Sequence, residues 1–416
     1  MKEKWFDISP RLRAIGEEAM EMIRPQLAEI ERITQYQQLK MLKAFQHANV
    51  SESCFAPSTG YGYGDRGREV LDRIYAEMLD TEDALVRQHF ASGTHTLTVA
   101  LFGVLRPGDT MLCVTGTPYD TLHGVIGLGK ESSGSLKEFG IRYEQVDLRK
   151  DGTVDLEGIR QALGGKPKMV YIQRSRGYSL RPTLTNREIR EIAELTHSLS
   201  PDTIVMLDNC YGEYVEMEAP GKWVDLMAGS LIKNPGGGIA PTGGYIAGRH
   251  DLVEACSYRL TTPGTGKEIG CTLGLNREMF LGTYLAPMVT AEALKTAVFA
   301  AAAAQLSGFE ASPRFDEPRG DIIQAILLGN EERLIRFCQG IQAASPIDSF
   351  VVPEPWDMPG YDSKVIMAAG AFTLGSSIEL SADAPLREPF AVWMQGSLSF
   401  VTGKTAMLQA LSRVEG

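Results

Sequence analysis

At 416 residues, with 44% apolar and 22% charged side chains, the chain has room for two or three domains and the composition of an ordinary globular protein. Its 41 Lys and Arg against 52 Asp and Glu leave a net charge of −11. That balance excludes a general nucleic-acid binder and a binder of anionic membranes, because both depend on basic patches.

Residues 10 to 48 have a helical pattern: Ile15, Ala19, Ile23, Leu27 and Ile30 recur three or four apart, with Glu and Arg between them. A Gly/Tyr-rich stretch from Ser58 to Arg68 interrupts it, and helix resumes from Glu69 to Leu79. Short apolar runs then alternate with helical segments: Ala84–Phe90, Thr110–Val114, Ile141–Val146, Met169–Gln173 and Ile204–Asp208. Runs such as Met-Val-Tyr-Ile are apolar on both faces, as expected of parallel strands covered on each side by helices. After about Arg249 the character changes. An Ala-rich helix, Ala286–Leu306, leads into a smaller unit with strand candidates Phe350–Val352, Ile366–Ala368 and Ser377–Leu380 and a final helix Phe390–Leu411. The expected fold is therefore α/β, a mostly parallel sheet in a large domain followed by a smaller α+β C-terminal domain. Glu292 and Lys295 interrupt the longest apolar stretch, which argues against a membrane span. Six scattered cysteines without a CxxC pair, and an N-terminus without an apolar signal core, point to a cytoplasmic protein with reduced thiols.

The chemistry concentrates between Ile204 and Gly244. A buried strand ends in Asp208, and 25 residues later Lys233 stands between Ser230 and the glycines 236 to 238. Ligands of open α/β sheets bind at the C-terminal ends of strands, where Asp208 falls. Pyridoxal phosphate chemistry needs such a pair: a lysine to bond the cofactor and an acid to keep its ring nitrogen protonated. Alone, either residue reads as a turn cap or a loop lysine. Upstream, Ser92-Gly93-Thr94 links a strand to a helix, a turn whose free N–H groups and helix dipole would cradle a phosphate. By itself it is also an ordinary capped helix. The six histidines lack HxxxH or HExxH spacing, which argues against a metal site, and the Gly-rich NPGGG lacks the GK[ST] of a nucleotide P-loop.

The order SGTHT, GTPYDTLHG, VMLDNCYGE, GSLIKNPGGG resembles the fold-type I pyridoxal-phosphate enzymes of the cystathionine and methionine lyase group. It is most similar to the branch known as methionine gamma-lyase-like or aluminium resistance proteins. The resemblance covers nearly the whole chain. It implies that Lys233 bonds the cofactor, that Asp208 pairs with the ring nitrogen, and that Tyr119 stacks on the ring and serves as an acid or base. Ser92, Gly93 and Thr94 would hold the phosphate, with Ser230 adding a hydroxyl. Tyr61, Tyr63 and Arg66 would reach the phosphate of a neighbouring subunit, making the protein a homodimer or homotetramer with shared active sites. Arg387 would fork the substrate carboxylate. The implied division is an N-terminal helix and arm over 1–68, a cofactor domain over 69–250, and a connecting helix with the small domain over 251–416.

Three departures from the group's pattern stand out. Ile232 precedes the lysine where a threonine is usual, the arm around Tyr61 is long, and Gln173 to Tyr178 replaces the segment that bonds the cofactor's ring oxygen. Arg174 and Arg176 in that replacement would stand near the ring oxygen or the substrate, and would either change which bond breaks or favour a more anionic substrate. The expected activity is elimination from a sulfur-containing amino acid. Aldolase, racemase or transaminase-like chemistry is the alternative, as is a cofactor-binding metal-tolerance protein with weak turnover.

Overall fold

The structure, a computed structural model, describes residues 5–129, 133–358 and 363–415. The expected first helix is two. α1 (Pro10–Met22) and α2 (Arg24–His47) meet at Ile23, because Pro25 offers no N–H to carry the ladder on. α3 (Arg66–Leu79) opens on Asp65, whose carboxylate accepts the Arg68 N–H at 2.9 Å. It therefore starts three residues before its apolar stripe suggests.

The alternating pattern then yields β1 (Asp83–Arg87), α4 (Gly93–Val104), β2 (Thr110–Cys113), α5 (Asp120–Ile126), β3 (Arg142–Gln145), α6 (Leu156–Ala162), β4 (Met169–Gln173), α7 (Asn186–Leu199), β5 (Ile204–Asp208), β6 (Leu226–Ser230), β7 (Gly244–Gly248) and α8 (His250–Leu260). The seven strands form one sheet in the order β1-β7-β6-β5-β4-β2-β3, in which only β7 runs against the rest. Consecutive residues of each inner strand enter opposite cores. Val170, Ile172, Val205 and Leu207 pack on one face, and Met169, Tyr171, Ile204 and Met206 on the other. Burial on both faces is why these strands read as continuous apolar runs.

α9 (Asn276–Leu306) begins ten residues before the Ala-rich stretch and continues through Pro287. By length and composition it could cross a membrane, but 78% of its apolar window is buried inside the protein. It is apolar on every side because it lies between neighbours. Beyond it come β8 (Glu310–Ser312), β9 (Gln324–Leu327), α10 (Glu331–Ala343), β10 (Val365–Ala369), β11 (Ser381–Pro385), β12 (Ala391–Gln395) and α11 (Phe400–Glu415). The five strands make an antiparallel sheet in the order β10-β11-β12-β9-β8. Its core is shared with α1, α9, α10 and α11, and the backbone N–H of Ser9 donates to Ser412 Oγ at 3.1 Å, so the first helix rests on its own chain.

The C-terminal sequence reading needs three corrections. Residues 390–411 are not one helix: 391–395 form β12, whose Val392 and Met394 face the core while Trp393 and Gln395 face away. A five-residue apolar run fits either period. Phe350–Val352 is exposed and unpaired, with Phe350 84% accessible; β-branched composition alone does not make a strand without a surface to cover. Ser377–Leu380 leads into a strand that begins at Ser381.

Candidate active site

The C-terminal ends of β4, β5 and β6 come side by side, with Gln173 opposite Asp208 and Asp208 opposite Ala228. Asp208 Oδ1 accepts the Cys210 N–H at 3.1 Å, and Oδ2 accepts the Tyr171 hydroxyl at 3.4 Å. Burial pushes this carboxyl above its ordinary range, while Lys233 pulls it back. The chain then turns sharply, with Tyr211 and Tyr214 at φ 71° and 64°. The Asn234 side-chain amide holds this turn by donating to the carbonyls of Tyr211 and Glu213, each at 3.0 Å. A left-handed tyrosine needs such a clamp, since the conformation is unfavourable for a bulky side chain. Its effect is to place the Tyr211 ring 4.0 Å from Lys233 Nζ. Burial works against the Lys233 ammonium, but Cys210, Tyr211, Tyr119 and Asp208 favour it and prevail, so the amine sits well above its ordinary range.

α4 enters the same space. Ser92 caps it by accepting the His95 N–H at 3.0 Å. A Cβ on Gly93 would lie 3.4 Å from Ser230 Cβ and 3.8 Å from both Lys233 Nζ and Cys210 Sγ, so the helix N-terminus, the lysine and Ser230 converge there. Thr94 Oγ1 hydrogen-bonds the Tyr119 hydroxyl at 2.5 Å and Thr121 Oγ1 at 2.8 Å, and the Tyr119 N–H donates to Gln173 Oε1 at 2.8 Å. Burial raises the Tyr119 phenol, and the charge of Lys233 opposes that rise.

Lys233, Asp208 and Tyr119 open into a cavity of about 680 Å³ between the large sheet and β11 and β12, with Ser230 and Ser92 to Thr94 outside its lining. Tyr119, Asp208, Lys233, Arg176 and Arg387 all line it. Arg176 is 3% exposed and donates to the Ser312 carbonyl at 2.9 Å and hydroxyl at 3.0 Å, with its Nε unpartnered.

Arg174 does not reach this space. Its guanidinium donates to Asn209 Oδ1 at 2.9 Å and Glu216 Oε1 at 2.6 Å behind the strand ends, which holds it away from the cavity that Gln173, Ser175 and Arg176 line. The expectation that it meets substrate is corrected to a buried ion pair. Tyr61, Tyr63 and Arg66 also lie away from the cavity of their own chain. The tyrosines are 70% and 65% exposed with rings stacked 5.5 Å apart, and Arg66 donates to the Asn49 carbonyl at 3.2 Å.

Several lining residues had no sequence signal. The role of Tyr211 rests on its positive φ, and Gln173 was legible only as a departure from a pattern. Arg181, which donates to the Gln173 carbonyl at 2.8 Å, lies eight residues past the strand end. Asp383 and Gln395 could have been found from the alternation of β11 and β12, had 391–395 been read as strand.

The donor set fits pyridoxal phosphate. Ser230 Oγ is fully buried and has no partner among the described residues, next to the free N–H groups of α4, as a phosphate ligand would require. A cationic ring nitrogen beside Asp208 would offset the burial that raises its carboxyl.

Comparison with known proteins agrees with this arrangement. Residues 12–415 match the methionine gamma-lyase family. The uncharacterized protein YnbB of Bacillus subtilis is 48% identical over 385 residues, covering 92% of this chain and 91% of its own. The crystal structure of a carbon-sulfur lyase involved in aluminium resistance from Clostridium novyi NT has a TM-score of 0.95 at 52% identity, covering 98% of this chain and 96% of that one. The pyridoxal-5'-phosphate dependent protein YhfS of Escherichia coli is 15% identical with a TM-score of 0.63, covering 92% of this chain and 96% of that one; it shares the fold. That fold is the fold-type I arrangement of pyridoxal-phosphate enzymes. Matched from its first helix to its last, the chain belongs to the methionine gamma-lyase family.

Proposed function

We propose that this protein is a pyridoxal-phosphate-dependent carbon–sulfur lyase that eliminates a thiol from a sulfur-containing amino acid. The observation that carries the reading is the convergence of Lys233, Asp208 and Tyr119 on one cavity large enough for cofactor and substrate together, with Ser230 and the α4 N-terminus against the lysine. Bound there, the cofactor supplies an electron sink for charge developing at the substrate α-carbon. Lys233 would bond it, and its free amine would take the proton from the substrate α-carbon, with the Tyr211 face holding the ammonium. Asp208, its carboxylate oriented by Tyr171 and the Cys210 N–H, would keep a proton on the ring nitrogen. Tyr119, held by Thr94, would hold the cofactor ring and supply its phenol as an acid or base. Arg387 takes the substrate carboxylate, and the cavity wall around Arg176 excludes water from the reacting carbon.

Tyr61, Tyr63 and Arg66 complete the phosphate site of a neighbouring subunit, which gives an exposed, stacked tyrosine pair a use. All six cysteines are free and five are buried, in keeping with work in the cytoplasm. The test is Lys233→Ala. The purified wild type should carry the visible absorbance of bound cofactor and release keto acid from a thioether amino acid; the variant should do neither. A colourless wild type would sink the reading.

A further inference from the structure

One buried carboxyl stands behind the site without a part in the proposed reaction. Glu213 lies in the sharp turn after Asp208 and is 2% exposed. Its Oε1 accepts the Tyr245 hydroxyl at 2.8 Å, and its Oε2, also buried, has no partner among the described residues. The carboxyl lies against β6, since a Cβ on Gly229 would stand 2.5 Å from Oε1. Two links tie it to the residues proposed to hold the cofactor. The amide of Asn234, next after Lys233, donates to the Glu213 and Tyr211 carbonyls, each at 3.0 Å, and the Tyr211 ring lies 4.0 Å from Lys233 Nζ. The amide of Asn209, next after Asp208, donates at 3.2 Å to the Tyr245 hydroxyl that Glu213 accepts.

The groups that face Glu213 leave its charge without a partner of its own. Tyr75 from α3, Tyr214 from the turn and Tyr245 from β7 are phenols that burial holds above their ordinary range, as it holds the Cys210 thiol. Arg174, just past β4, is bonded to Glu216 and Asn209. Glu218, which shares a void of about 10 Å³ with Glu213, is paired with Lys222 at 2.8 Å. Among the described residues no ion pair includes Glu213. Burial lifts its carboxyl to about 7, while the Tyr245 hydroxyl and then the charges of Lys233 and Arg174 hold it down. A buried carboxylate and a buried ammonium act on each other with little water to screen them.

We propose that Glu213 is a positioning residue for the proton on Lys233. Its negative charge, fixed behind the lysine by Tyr245 and Asn234, holds the lysine nitrogen protonated, and neutralising it frees that nitrogen to act as a base. The coupling is mutual: a proton on Lys233 favours the ionised carboxyl, and its loss favours the neutral one. The inference rests on the reading that Lys233 bonds the cofactor and serves as the base in this site.

The test follows the visible absorption of the holoenzyme from pH 5.5 to 10, which reports whether the nitrogen joining Lys233 to the cofactor carries a proton. Glu213→Gln keeps the acceptor for Tyr245 and removes the charge. Its midpoint should fall by about one pH unit, a tenfold loss of proton affinity at the lysine nitrogen. Glu213→Asp keeps the charge and should hold the midpoint within about 0.3 unit of the wild type. A Glu213→Gln curve that superimposes on that of the wild type, or a fall of the same size in Glu213→Asp, overturns the proposal. Turnover separates the two readings. Midpoints that move as expected, with no keto acid from any thioether amino acid, would sink the lyase reading and leave the role of Glu213 standing. Normal keto-acid release with superimposed curves would do the reverse, and a wild type that takes up no cofactor would sink both.

Discussion

Lys233 and its surroundings show how single residues are set by backbone that the sequence does not advertise. Tyr211 lies under the lysine because Asn234, the residue after it, clamps the turn that carries the tyrosine. The same turn buries Glu213, whose Oε1 accepts the Tyr245 hydroxyl at 2.8 Å while Oε2 has no partner. Burial lifts this carboxyl from 4.5 to about 7. A raised carboxyl favours the folded state when protonated. Its contribution is therefore fully present below about 4.5 and is lost as the pH climbs through about 7. Glu213→Gln cannot ionise and keeps the acceptor for Tyr245. Between pH 4.5 and 8 its unfolding free energy should rise relative to wild type by on the order of 2–3 kcal/mol. Parallel stability curves from urea titrations across that range would refute this account.

Among the elements, the joint between α3 and β1 depends on a buried ion pair. Asp72 Oδ1 accepts the Val86 N–H and Arg87 Nη1, both at 2.7 Å, with the pair's side chains 5% and 3% exposed. Arg68, from the first turn of α3, donates to the Gly62 carbonyl at 2.9 Å and the Gly270 carbonyl at 3.0 Å and so seats the arm on the loop before α9. Gly62 fits there only without a side chain, since a Cβ would stand 2.8 Å from Cys271 Cα at a φ of 66°. Asp72→Ala leaves Arg87 buried and unpaired and should cost about 3–5 kcal/mol, read as a lower urea midpoint at unchanged m. A cost below about 1 kcal/mol would mean that water reaches the arginine in its place.

At the scale of the whole molecule, the chain closes its own cavity with the small sheet but sends its Tyr61–Tyr63 arm outward. If that arm completes a neighbour's phosphate site, a chain lacking it and a chain lacking the lysine are each inactive alone. Mixed, they would pair an intact arm with an intact lysine in one site. Co-expressed Tyr61→Ala/Tyr63→Ala/Arg66→Ala and Lys233→Ala chains should therefore recover keto-acid release absent from either homo-oligomer. No recovery in a verified mixed oligomer would place the phosphate site within one chain.

The extent to which this protein could be read from its residues follows from range. The parallel strands were legible because burial on both faces writes continuous apolar runs, and β4 and β5 have the bounds those runs indicate. Asp208, Lys233 and Ser92 to Thr94 were legible because strand ends and helix starts have local signals. Of the small sheet only β10 was, around Ile366–Ala368, while 391–395 suits either period until β9 and β11 lie on its two sides. Arg174 and Arg176 stand two apart in sequence, yet Glu216 and Asn209 draw the first behind the sheet while Ser312 holds the second at the cavity. Local patterns name the chemistry a chain carries. Which of its arginines face the reacting atoms depends on partners from 35 to 136 residues away, and only folding brings those within hydrogen-bond reach.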